Sequence, residues 1–121
     1  MDISRYEILS EAKGRPIISY AVVRGDTVYL SGVTPDPAGD ITSQTKQVLD
    51  RIDGLLAKAG TDKSKLLTAQ VWLADMRLFE VHNATVCNGW VDRQNPPVGA
   101  CVRADLVRPG MLVEIMVTAA K

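Results

Sequence analysis

The run Met111-Leu112-Val113-Glu114-Ile115-Met116-Val117 holds one carboxylate among apolar side chains, and that carboxylate has to be explained first. In an extended strand Leu112, Glu114 and Met116 share one face while Met111, Val113, Ile115 and Val117 share the other, and neither face has the make-up of solvated surface. A carboxylate in such surroundings must be ion-paired, hydrogen-bonded or held neutral with a raised pKa. These states concentrate at clefts and subunit contacts. Glu114 is therefore either a structural ion-pair partner or an acid-base group able to orient and deprotonate a water.

Few other residues offer chemistry. The chain has two cysteines, Cys87 and Cys101, and one histidine, His82, so no zinc-ligand set or disulfide framework is spelled out. His82 reads as a residue of an amphipathic helix rather than a base. A catalytic thiol needs a base nearby, and nothing in the sequence brings one to Cys101, which reads as a small, polarizable wall residue.

With 121 residues, 46% of them hydrophobic, the chain fits one compact domain spanning residues 1–121. Fourteen basic and fourteen acidic residues cancel, leaving no electrostatic footprint for nucleic acid or an anionic membrane. Met1-Asp2-Ile3-Ser4-Arg5 lacks the apolar core of a signal peptide, and a cytoplasmic protein is the expectation.

The elements that must carry Glu114 follow from pattern. Ile17–Val23 and Thr27–Leu30 form a hairpin around Arg24-Gly25-Asp26. From Ile41 a helical stripe runs through Val48, Leu49, Ile52, Leu55, Leu56 and Ala59, stopped by Gly60 and capped by either Asp40 or Thr42. A strand over Leu66–Leu73 with Trp72 as a packing group precedes a second helix over about Arg77–Trp90, which Pro96-Pro97 cannot extend. Strands over about Val98–Asp105 and Met111–Ala119 close the chain, and Pro109-Gly110 between them predicts antiparallel, hairpin-connected neighbours. This is an α+β order in which two helices cover one face of a sheet of about six strands. The other face then calls for a second copy of the chain, which predicts a homo-oligomer.

Five pieces occur in the order and spacing of a known family: Val28-Tyr29-Leu30-Ser31-Gly32, Gln44-Thr45-Lys46-Gln47-Val48-Leu49, Phe79-Glu80-Val81-His82-Asn83, Pro97-x-x-Ala100-Cys101-Val102 and Val113-Glu114-Ile115. From about residue 17 the chain resembles the Rid (reactive intermediate deaminase) family, also called YjgF or L-PSP. The resemblance implies a chorismate-mutase-like, YjgF-type α+β fold assembled as a homotrimer, with small-molecule clefts between subunits. In deaminase members these clefts hydrolyse enamines and imines to a ketoacid and ammonia without a metal or cofactor. It also implies a Ser-Gly turn at Ser31 and Gly32 facing the substrate, with Asn83, Cys101 and Glu114 lining the cleft.

Two positions depart from the family pattern. Deaminase members grip the substrate carboxylate with an arginine where this chain has Gly99, and glycine supplies neither charge nor a bidentate contact. The family's early tyrosine aligns with Ile18, while Tyr20 stands two positions away. Arg103 shares a strand face with Gly99 and Cys101 but lies about 13 Å along from Gly99, and Arg15 precedes the first hairpin; either is a candidate replacement cation or an ordinary surface charge. The functional expectation is a Rid-like imine or enamine hydrolase of altered substrate choice. The alternatives are a non-catalytic ligand-binding trimer and an interaction or holdase protein.

Overall fold

A computed structural model describes residues 2–10 and 14–121. Gly25, at φ +60°, turns the chain between β2 (Ile18–Arg24) and β3 (Thr27–Leu30), which pair antiparallel as expected. An N-terminal strand that the sequence reading does not contain, β1 (Ile3–Leu9), pairs antiparallel with β2 from Ile3↔Arg24 to Leu9↔Ile18. Glu7, at φ 52°, interrupts the pairing without shifting its register and ion-pairs with Lys58.

Helix α1 (Ile41–Lys58) starts at Asp40, whose Oδ1 accepts the Ser43 amide at 2.8 Å, and this settles the choice of cap. Its stripe Ile41, Val48, Leu49, Ile52 and Leu56 is buried against the sheet. Truncating a fully buried member such as Ile52 or Leu56 to alanine costs about 2–5 kcal/mol. The helix ends with Gly60 at φ +85°, the Gly60 amide donating to Ala57 O at 3.1 Å and Thr61 to Leu56 O at 2.9 Å. Helix α2 (Phe79–Gly89) begins two residues later than expected, because Asp75 caps a single 3₁₀ turn over Met76–Leu78 first. His82 is buried between the helices with Nδ1 3.0 Å from Thr45 Oγ1, and burial lowers its pKa.

The sheet order is β1-β2-β3-β6-β4-β5, with β4 (Leu66–Leu73), β5 (Val98–Arg103) and β6 (Val113–Ala120). The expected β5–β6 hairpin is corrected: β4 lies between them, parallel to β5 and antiparallel to β6. The reason is burial. Val113, Ile115, Val117 and Ala119 are almost fully buried, so β6 takes the centre beneath the helices, whereas β5, with Val98 70% exposed, takes an edge. The Pro109-Gly110 segment is therefore a crossing loop, and buried Gln44 of α1 holds it, donating to Gly110 O and accepting the Leu112 amide, each at 2.8 Å. Both helices pack on one face; the other leaves Tyr29, Val102 and Met116 exposed, with Trp72 and Glu114 half-buried among them.

Candidate functional site

The turn after β3 is bonded on both sides. Ser31 donates its amide to Tyr20 O at 2.9 Å, and Val33 and Ile115 exchange backbone bonds of 2.8 and 3.1 Å. Gly32 is thereby held beneath Glu114, the residue before Ile115. A Cβ on Gly32 would fall 2.1 Å from Glu114 Oε2, so only glycine lets the carboxylate lie there. Burial raises the Glu114 pKa, and no charge or hydrogen bond from the described residues opposes that shift. Within one chain, then, the ion-pair reading of Glu114 finds no partner among the described residues.

Glu114, Ser31 and Gly32 line a cavity of about 480 Å³, together with Ile18, Tyr20 and Arg15. Tyr20 stands two positions from the aligned Ile18, and a two-residue step along a strand keeps a side chain on the same face. Both line the same cleft. Arg51 and Arg108 also border it. The Arg51 guanidinium bonds Thr34 O and, at 3.0 Å, Asp36 Oδ1; this contact, with Gln47, holds the Asp36 carboxyl below the usual carboxylate range. Arg51, Arg108 and the clamping Gln44 are missed by sequence reasoning, since two helical positions and one loop position carry no local signal of convergence. Only the period of two along β2 could have recovered Tyr20.

The remaining candidates lie elsewhere. Gly99, Cys101 and Arg103 register with Ala69, Val71 and Leu73, placing them on the helix-bearing face, opposite to Trp72 and Glu114. Cys101 packs against the core, and burial pushes its thiol pKa up, away from the nucleophilic thiolate. Arg103 contributes to the field at Asp75, whose carboxyl is driven to about 2 chiefly by its hydrogen bonds from Arg77. Asn83 is exposed on α2, its Oδ1 accepting from Cys87 Sγ at 3.6 Å. At Gly99 an added Cβ would meet the Ala69 carbonyl oxygen at 2.0 Å, so this backbone admits no side chain, arginine included. One chain thus unites Ser31, Gly32 and Glu114 and leaves Asn83, Gly99, Cys101 and Arg103 apart.

Among the described residues no group of three or more His, Cys, Asp or Glu side chains is placed to hold a metal, and no helix is long and apolar enough to cross a membrane.

A six-stranded α+β sheet with two helices on one face, and a half-buried carboxylate laid over a glycine turn on the other, defines a class of small cleft-bearing proteins. The family model described as Endoribonuclease L-PSP matches residues 14–121. A RutC family protein of Haemophilus influenzae is 39% identical over 104 residues, 84% of this chain and 89% of the relative. The crystal structure of NMB1025, a YjgF family member from Neisseria meningitidis, superposes with a TM-score of 0.87 at 36% identity, covering 100% of this chain and 96% of that one. The chain belongs to the Rid/YjgF/L-PSP family. A more distant relative, 28% identical over 117 residues (89% of this chain, 91% of its own length), is the 3-aminoacrylate deaminase RutC of Acinetobacter baylyi.

Proposed function

We propose that this protein hydrolyses small imines and enamines to a carbonyl compound and ammonia, with Glu114 handling the water. The observation that carries this reading is the Glu114 carboxylate over Gly32: half-buried, raised in pKa and unpaired among the described residues, on the wall of a ligand-sized cavity. A carboxyl group tuned upward is a better proton shuttle near neutral pH than an ordinary surface glutamate.

The chemistry balances simply. An enamine first tautomerises to its imine, gaining a proton at carbon and giving one up from nitrogen to water. Glu114 takes a proton from water as the oxygen attacks the imine carbon and hands it to the nitrogen, where the C=N electron pair takes it up as an N–H bond and the carboxylate is regenerated. Proton transfer from the new hydroxyl through Glu114 to nitrogen then breaks the C–N bond, forming C=O and releasing ammonia. Every step is a proton transfer or addition that consumes only water. Gly32 lets backbone approach the ligand without an intervening side chain, and the name of the 3-aminoacrylate deaminase relative is in keeping with this reaction class.

The same reading takes residues 1–121 as one domain, in a cytoplasmic homotrimer. The separation of Asn83, Gly99 and Cys101 from Glu114 within one chain supports a cleft completed by a neighbouring copy, and the exposed Val102 and Met116 supply apolar surface for that contact. A second reading, a ligand-binding trimer without turnover, is favoured by one observation: the Gly99 backbone has no room for the anchoring arginine of deaminases.

Ammonia release from enzymatically generated 2-aminoacrylate and 3-aminoacrylate, and from neutral imines, separates the two. Acceleration by the wild type, falling by about 10²–10⁴ in Glu114→Gln with assembly intact and no response to chelators, establishes the hydrolase. Failure to accelerate any of them, with ligand-dependent thermal stabilisation retained, establishes the binding protein.

A further inference from the structure

The cleft that holds Glu114 is lined by three arginines brought from three separate parts of the chain: Arg15 before β2, Arg51 on α1 and Arg108 in the loop between β5 and β6. Against them stands one ionised carboxylate on the rim, Asp36, and it is already engaged by Arg51. Arg15 and Arg108 form no ion pair or side-chain hydrogen bond with the described residues.

The Arg108 loop is held firmly at the mouth. Gln44 bonds Gly110 and Leu112, the Met111 amide reaches Arg108 O at 3.3 Å, and Gly110 packs so closely on Pro37 that a Cβ there would meet Pro37 O at 2.8 Å. A ligand in this space has arginines and the Glu114 acid-base group among the residues of its walls. A cavity of about 480 Å³ suits a molecule of several heavy atoms.

We propose that Arg108 and Arg15 form the carboxylate anchor of this cleft, so that the protein takes small carboxylate-bearing imines and carbonyl compounds held from the loops on the Glu114 side rather than from β5. This rests on the Glu114 cleft being the ligand site of the proposed function. The departure at Gly99 then marks a displaced anchor, with the acid group lying between the two loop guanidiniums and the reacting carbon directed toward Glu114.

The test is titration calorimetry on the full-length, assembled protein at low salt, with pyruvate and its neutral analogue pyruvamide as probes, for the wild type, R15Q, R108Q and the double variant. The wild type should prefer pyruvate, and the preference should shrink as salt is added. The double variant should lose at least about tenfold in pyruvate affinity while its pyruvamide affinity and thermal midpoint hold. Unchanged pyruvate affinity in the double variant, equal wild-type affinity for the two probes, or no pyruvate binding by the wild type overturns the anchor. The outcomes also separate the two proposals: arginine-dependent pyruvate binding with no imine hydrolysis leaves the anchor standing without the hydrolase. Hydrolysis of neutral imines with arginine-independent pyruvate binding does the reverse.

Discussion

Gly32 lies beneath Glu114 in the candidate site and Gly99 lies outside it on the edge strand β5, yet each would drive an added Cβ to about the same close distance from an oxygen: 2.1 Å from Glu114 Oε2 at the first and 2.0 Å from the Ala69 carbonyl at the second. The obstructing atoms differ in kind. At Gly32 the obstacle is the tip of a side chain that can swing away, so the constraint concerns where the carboxylate rests. At Gly99 it is backbone hydrogen-bonded into the β4–β5 ladder, so the constraint concerns whether the edge strand pairs at all. One glycine positions chemistry and the other preserves architecture, which is why the residue at position 99 cannot be read as an arginine with its side chain removed.

The sharpest way to break this comparison is to add the same methyl group at both places. Gly32→Ala should cut imine turnover by roughly one to two orders of magnitude, as the displaced carboxylate loses its alignment, while urea unfolding shifts little. Gly99→Ala should do the opposite, costing about 1–3 kcal/mol in urea unfolding as β5 is pushed from β4, with Gly99→Arg at least as damaging. Equal stability losses at the two sites would remove the distinction.

A smaller effect tests the environment of Glu114. Its folded pKa is raised, so the ionised form costs stability above that pKa, and the cost vanishes as pH falls below the ordinary value near 4.5. Glu114→Gln should therefore raise the thermal midpoint at pH 7, the gain fading by about pH 4. A lowered midpoint at pH 7 would reveal a partner that the ionised group needs. The smallest effect belongs to the β5 end, where Cys101→Ala should leave turnover within about threefold and the wild-type thiol should alkylate more slowly than free cysteine.

The local elements were largely legible. Period-two and helical spacing located β2, β3, β4 and α1 to within a residue or two, and Gly60 was readable as the stop because a left-handed residue there closes the helix end whatever packs around it. The singular carboxylate of β6 pointed to Glu114, and the face it shares with Leu112 and Met116 followed from strand geometry alone. What escaped was non-local. The insertion of β4 between β5 and β6, the pairing of β1, and the gathering of Arg15, Arg51 and Arg108 around one cavity depend on contacts between segments far apart in the chain.

By itself, then, the sequence determined the helices and every strand but β1, which residues share a strand face, and that Glu114 was the singular carboxylate, because these rest on repeats a few residues long. The tertiary structure alone decided that Glu114 lies over Gly32 without a partner among the described residues, that Cys101 and Arg103 face the helix side, and that Gly99 admits no side chain. Each of these is fixed by strand order and register, which are set by the burial of whole faces across the sheet and leave no mark in any short stretch of chain.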